Sequence, residues 1–177
     1  MSSRSVASLG IFTALVAALG FALSGVPNIE LMSLGTFVSG ALLGPVRGAI
    51  VGAGAIAIYS SFNPYGLAPP PTFAMQVAGA ALIGLAGGVV AGRFAPESSS
   101  LARIVVGAAS GLVLTFVYDV LTNLGTAWSI GAASDPWPIL WGGLAFSAWH
   151  IAWNTVVFAA CAPPLLAALR RRRARAL

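Results

Sequence analysis

Between Val6 and Leu169 the charged side chains are Glu30, Arg47, Arg93, Glu97, Arg103, Asp119 and Asp135, and long apolar runs separate them. Runs of that length constrain the fold more than any motif, because a segment apolar on every side has no face to offer water. Hydrophobic residues make up 58% of the chain and charged residues 7%, against roughly 25% charged in a soluble domain. Lipid is therefore the solvent to reason in, where each spanning helix needs about 20 mostly apolar residues. The 177 residues accommodate six such spans with short loops and leave no length for a separate water-soluble domain.

Turn signals divide the runs. Helix is expected from about Val6 to Ser24, ending at Val26-Pro27-Asn28 because proline disfavours helix in the residue before it. The next spans are expected at about Glu30 to Leu43, closed by Gly44-Pro45, and at Gly48 to Ser61, closed by Asn63-Pro64-Tyr65-Gly66 and Pro69-Pro70-Pro71. Further spans follow at about Thr72 to Phe94, Leu101 to Leu124 and Pro138 to Leu169, the last interrupted near Pro163-Pro164. A longer loop, Gly125 to Trp137, carries Asp135. The first run lies behind Arg4 as a secretory signal would, but it is longer than a typical apolar signal core and is read as a retained helix.

Every basic residue is an arginine, and five of the nine are Arg170, Arg171, Arg172, Arg173 and Arg175. On an alternating six-span path that tail, Arg4, Arg47 and the pair Arg93 and Arg103 all fall on one side. By the positive-inside rule that side is the cytoplasm, and the loops holding Glu30 and Asp135 face outward. The expected fold is thus an all-α membrane protein, a compact single-domain bundle of six transmembrane helices with both termini cytoplasmic. The net charge of +5 reads as a membrane anchor, not a nucleic-acid surface, since no basic patch interleaved with aromatics occurs upstream of the tail.

Polar residues inside such spans are costly and mark function by default. Asp119 and Asn123 lie four apart, on one helical face, beside Tyr118; His150 and Asn154 repeat that spacing beside Trp149 and Trp153. Gln76 lies one turn into the fourth span, Tyr59 and Asn63 end the third, and Asn28 and Glu30 start the second. On the path above all but Asn154 belong to the outer half, so Asn28, Glu30, Tyr59, Asn63, Gln76, Tyr118, Asp119, Asn123, Trp149 and His150 are the candidate substrate-binding residues. The alternative is a buried network, with Asp119 pairing His150 merely to fix helix packing. Small residues recur at spacings of four: Ala14, Ala18 and Ala22; Gly48 and Gly52; Gly84 and Gly88. They fit either packing within the bundle or docking of a partner membrane protein.

Catalytic and metal signatures are missing. A phosphate-binding loop of the Walker type needs a lysine, and the chain has none. One histidine and one cysteine, Cys161, exclude a disulfide within the chain and disfavour a zinc site. Ser147 lies three residues before His150 on the same helix, a poor geometry for a nucleophile and its base. No enzymatic activity, cofactor or metal is expected.

The order of these features resembles the substrate-binding S-components of energy-coupling factor (ECF) vitamin transporters, small six-helix proteins of the prokaryotic inner (plasma) membrane. The resemblance spans nearly the whole chain. It is carried by Ala14, Ala18 and Ala22, the Val26-Pro27-Asn28-Ile29-Glu30 junction, the Leu43-Gly44-Pro45-Val46-Arg47-Gly48 turn, the Asn63-Pro64-Tyr65-Gly66 loop, and Tyr118-Asp119 with Asn123. It implies capture of a vitamin at the outer face, docking through the alanine stripe onto a membrane coupling protein driven by two ATPase subunits, and toppling to release the vitamin inside. The Pro27-Asn28 junction is most similar to members associated with cobalamin or with unassigned substrates. The competing readings are an assembly subunit of a membrane complex, in which the polar groups satisfy one another and leave no cavity, and an intramembrane enzyme.

Overall fold

The apolar runs fold as helices in a computed structural model that describes residues 2–175. In chain order these are α1 (Ser3–Ala22), α2 (Met32–Leu43), α3 (Pro45–Phe62), α4 (Pro70–Val90), α5 (Ser100–Ser129), α6 (Trp137–Gly142) and α7 (Leu144–Arg175). A 3-10 turn, Ala91–Phe94, ends α4. No strand occurs among the described residues. Five helices, α1, α3, α4, α5 and α7, are long and apolar enough to cross a membrane. Large apolar side chains project from them, including Ile11, Phe62, Val89, Leu101 and Val156, each more than half exposed. Water would penalise that surface at about 25 cal/mol per Å², whereas lipid does not. The chain is a multi-pass membrane protein.

Local chemistry sets the helix ends. The Ser2 and Ser99 hydroxyls accept backbone N–H groups of Ser5 and Ala102 and cap α1 and α5, and prolines open α3 and α4 where a missing N–H costs nothing. A single residue, Gly44, joins α2 to α3 at φ 96°, a conformation that side chains with a Cβ rarely adopt.

Packing differs along the bundle. At one end α2, α3 and α4 touch through glycine. A Cβ on Gly84 would lie 2.0 Å from the Gly48 carbonyl oxygen, one on Gly40 1.9 Å from that of Gly84, and one on Gly88 2.3 Å from the Pro45 nitrogen. Backbones this close gain dispersion contacts that lipid tails cannot match. Gly107 and Gly111 do the same for α5 against Phe158 and Asn154 of α7, and a cluster of Phe37, Ile83, Phe94, Phe158 and Leu166 fills the core beside them. The Arg170 guanidinium donates to the Phe94 and Ala91 carbonyls at 3.0 and 2.7 Å, which places the arginine-bearing turns at this same end. The glycine spacings thus serve packing inside the bundle. Ala14, Ala18 and Ala22 do not: all three are exposed on the outer face of α1.

Helix α2 sets the other end. Its 12 residues reach about 18 Å at roughly 1.5 Å each, well short of a bilayer's ~30 Å core. The connection over residues 23–31, a run of turns, leads into α2. Asn28 there takes φ 59°, a left-handed geometry that asparagine tolerates better than most residues.

Four sequence expectations need correction. Asn28 and Glu30 precede α2 and do not start it. The Pro163-Pro164 pair does not interrupt α7; the carbonyls of Ala159 and Ala160 lose their amide partners, a loss that packed membrane helices tolerate. Helix α5 runs on past Leu124 to Ser129, because Gly125 packs on Thr72 and the Thr72 and Ser129 hydroxyls pair at 2.9 Å. The expected span over 138–169 is two helices, divided at the Gly142-Gly143 pair.

Candidate functional site

Where α2 falls short, the bundle encloses a cavity of about 550 Å³. It is lined by the 23–30 connection, the pocket-end turns of α2 to α5, and the start of α7. Eight of the ten sequence-derived candidates border it: Asn28, Glu30, Tyr59, Gln76, Tyr118, Asp119, Asn123 and His150. Groups drawn from five stretches of chain therefore meet at one hollow.

His150 is the centre of the polar cluster. Its Nδ1 lies 2.8 Å from Asp119 Oδ1, and its Nε2 lies 3.6 Å from Glu30 Oε1, so one imidazole stands between two carboxylates. Glu30 is held in turn from three directions. Its Oε1 accepts the Asn154 side-chain amide at 2.9 Å, its Oε2 accepts the Ser33 backbone N–H at 2.8 Å, and its carbonyl accepts the Trp153 indole N–H at 3.0 Å. The Ser33 contact also satisfies one free amide in the first turn of α2, where a carboxylate suits the helix dipole. The loop that carries Glu30 is thereby tied to α7, and Asn28 adds a second tie by donating to the Phe146 carbonyl at 2.9 Å.

Elsewhere on the wall the Ser60 hydroxyl donates to Gln76 Oε1 at 2.7 Å, leaving the Gln76 amide N–H groups free. The Tyr118 ring meets His150 edge-on at 6.3 Å and lies against Gly79, where a side chain would clash with it. The Tyr65 hydroxyl, at the rim, donates to the Ser24 carbonyl. Of the six buried side-chain atoms without a hydrogen-bond partner among the described residues, three belong to this cluster: Asp119 Oδ2, His150 Nε2 and Asn154 Oδ1. A buried polar atom left unpaired costs about 1–3 kcal/mol. The network therefore does not close on itself: Asp119 borders the cavity, and one of its carboxylate oxygens is buried with no partner inside the protein.

Two candidates stand apart from the hollow. Asn63 ends α3, its side-chain amide donating to the Tyr59, Ser60 and Gly66 carbonyls and its Oδ1 accepting the Tyr65 N–H. It shapes a turn. Trp149 is 55% exposed on the outside of α7, because a step of one residue turns a helix through roughly 100°, and its neighbour His150 takes the inward position.

Sequence reasoning also left out residues that belong here. The alternating path sets Asn154 apart from the outer residues, yet it bonds Glu30 directly; its spacing of four from His150 is the signal that places both on one face. Trp153, Ser33 and Thr122 carry no comparable signal, since their parts depend on how the first connection folds back. Among the described residues no group of three or more metal-ligating side chains occurs. Cys161 is exposed on α7, in the arginine-bearing half.

Comparison with family models, with curated proteins and with solved structures returns no match.

Proposed function

We propose that this protein is the membrane-embedded substrate-binding subunit of an ECF-type importer, which captures a vitamin-sized solute from outside and delivers it through an ATP-driven coupling module. The observation that carries the reading is the meeting of costly polar side chains at one open hollow. In a self-satisfied packing network Asp119 Oδ2 would have a partner within the protein. A cavity of about 550 Å³ also falls in the range, about 300–1,000 Å³, of small-molecule sites.

Orientation follows from charge. Arg47, Arg93 and Arg170 share the end remote from the cavity, so the positive-inside rule turns that end to the cytoplasm and the cavity to the exterior. With α2 extended by the 23–31 connection, the bundle makes six passes. The outward alanine face of α1 fits docking on a coupling membrane protein, as small side chains let a partner helix approach closely. No phosphate-binding loop exists in the sequence, so the energy would come from separate ATPase subunits.

The test is direct. The protein, purified in mild detergent from cells grown in rich medium, is extracted and its small molecules identified by mass spectrometry. Wild type is expected to carry a stoichiometric solute, and Asp119→Ala to lose it. An empty wild type removes the cavity from the function, and a variant that retains the solute removes Asp119 from the site. Ala18→Trp is expected to keep the solute but to lose co-purification with the coupling protein.

A further inference from the structure

Resting on the reading of the cavity as a solute site, we infer that its occupant is a small organic cation, an N–H-bearing ammonium or amidinium-like group on a flat apolar body. Charge decides this first. Two acidic side chains, Glu30 and Asp119, face one imidazole, so acidic groups outnumber the basic one two to one. Buried in a membrane protein such an excess is costly; an arriving cation neutralises it.

The unpaired atom agrees. Asp119 is 8% exposed, one of its oxygens is engaged by His150, and the other has no partner although its residue borders the cavity. An ionised carboxylate oxygen accepts hydrogen bonds and donates none. An occupant that reached this oxygen would have to bring a donor, and a charged donor binds about twice as strongly as a neutral one.

The rest of the wall discriminates the same way. Tyr59, Tyr65 and Tyr118 border the cavity, and tyrosine rings attract cations and stack flat bodies. Among the described residues no arginine borders it. A phosphate or carboxylate entering the hollow would meet two acidic side chains and no guanidinium or ammonium group.

The experiment uses the full chain in detergent, freed of endogenous solute, and reads its melting temperature. Two matched sets of probes are added at equal concentration: benzylammonium, benzyl alcohol and benzoate, then tryptamine, tryptophol and indole-3-acetate. The amine of at least one set is expected to raise Tm by ~5 °C near saturation, with its alcohol and carboxylate giving little shift. Asp119→Asn, which keeps the side-chain shape, is expected to weaken the amine's effect at least ~10-fold. If that variant does not fold, Glu30→Gln takes its place with the same expectation. An alcohol or carboxylate that stabilises as well as its amine overturns the inference, as does a flat response to both sets. The co-purification test separates the two readings: an anionic solute in the wild-type protein overturns the cation assignment alone, whereas an empty cavity overturns the solute site itself.

Discussion

Helices α2, α3 and α4 meet as bare backbone at the arginine-bearing end, while at the opposite end the same three helices part around a hollow of about 550 Å³. The difference traces to two features of sequence. Glycines at Gly40, Gly48, Gly84 and Gly88 remove the side chains that would hold the backbones apart, and a short α2 leaves the far end to a connecting loop. One end spends its residues on contact and the other on polar groups that contact leaves unsatisfied. Bare backbone contact closes one end, and at the other the 23–31 connection, tied to α7 through Asn28 and Glu30, forms part of the wall of the hollow.

Substitution at the seam should be the most damaging. Gly84→Val puts a branched side chain where even a Cβ lies 2.0 Å from the Gly48 carbonyl oxygen, and backbone cannot move aside as a side-chain tip can. The cost is expected above the ~1–3 kcal/mol of ordinary overpacking, read as loss of the monodisperse peak on size exclusion in detergent. A Gly84→Val protein with a normal elution profile and melting temperature would dissolve the contrast between the two ends.

At the cavity, His150→Ala leaves Glu30 and Asp119 facing each other without the imidazole between them. A lowered stability of about 2–3 kcal/mol is expected, less than the ~3–5 of a fully enclosed pair because the hollow admits water. Thermal melts at constant detergent measure it, and an unchanged melt would mean the three groups are not coupled. Asn63→Ala comes next. It removes the ties that finish α3 and should cost ~1 kcal/mol without altering solute retention, since Asn63 is not on the cavity wall. Loss of the solute in that variant would move the site toward the 63–66 turn. Smallest is Gly10→Ala, where an added Cβ meets nothing within 4 Å; a gain of up to ~1 kcal/mol is expected from the stiffer helix.

The bundle and its polar end were legible in the sequence to different degrees. Apolar length marks helices because lipid enforces it, so six of the helical segments were found; what failed were boundaries decided by tertiary contact. Ser129 is helical because Thr72 of another helix meets it, and no local signal encodes that. The proline pair misled for a related reason: inside α7 a local helix breaker yields to the rest of a long apolar helix. At the site, spacing of four placed Asp119 with Asn123 and His150 with Asn154. It could not show that Trp149 turns out while Trp153 turns in to the Glu30 carbonyl, because that choice depends on the helix's rotation against the first connection.

Solvent access to the hollow tests the central claim most directly. Thr122, on the cavity wall, is replaced by cysteine (Thr122→Cys) in a Cys161→Ala background, with Ser100→Cys at the arginine-bearing end as its counterpart. Right-side-out membrane vesicles are treated with a membrane-impermeant thiol reagent. Labelling of the Thr122→Cys protein from outside, slowed when solute is present, is the expected result, with the Ser100→Cys protein labelled only after the vesicles are opened. If Thr122→Cys resists the reagent from outside, or reacts only from within, the cavity does not receive its occupant from the exterior.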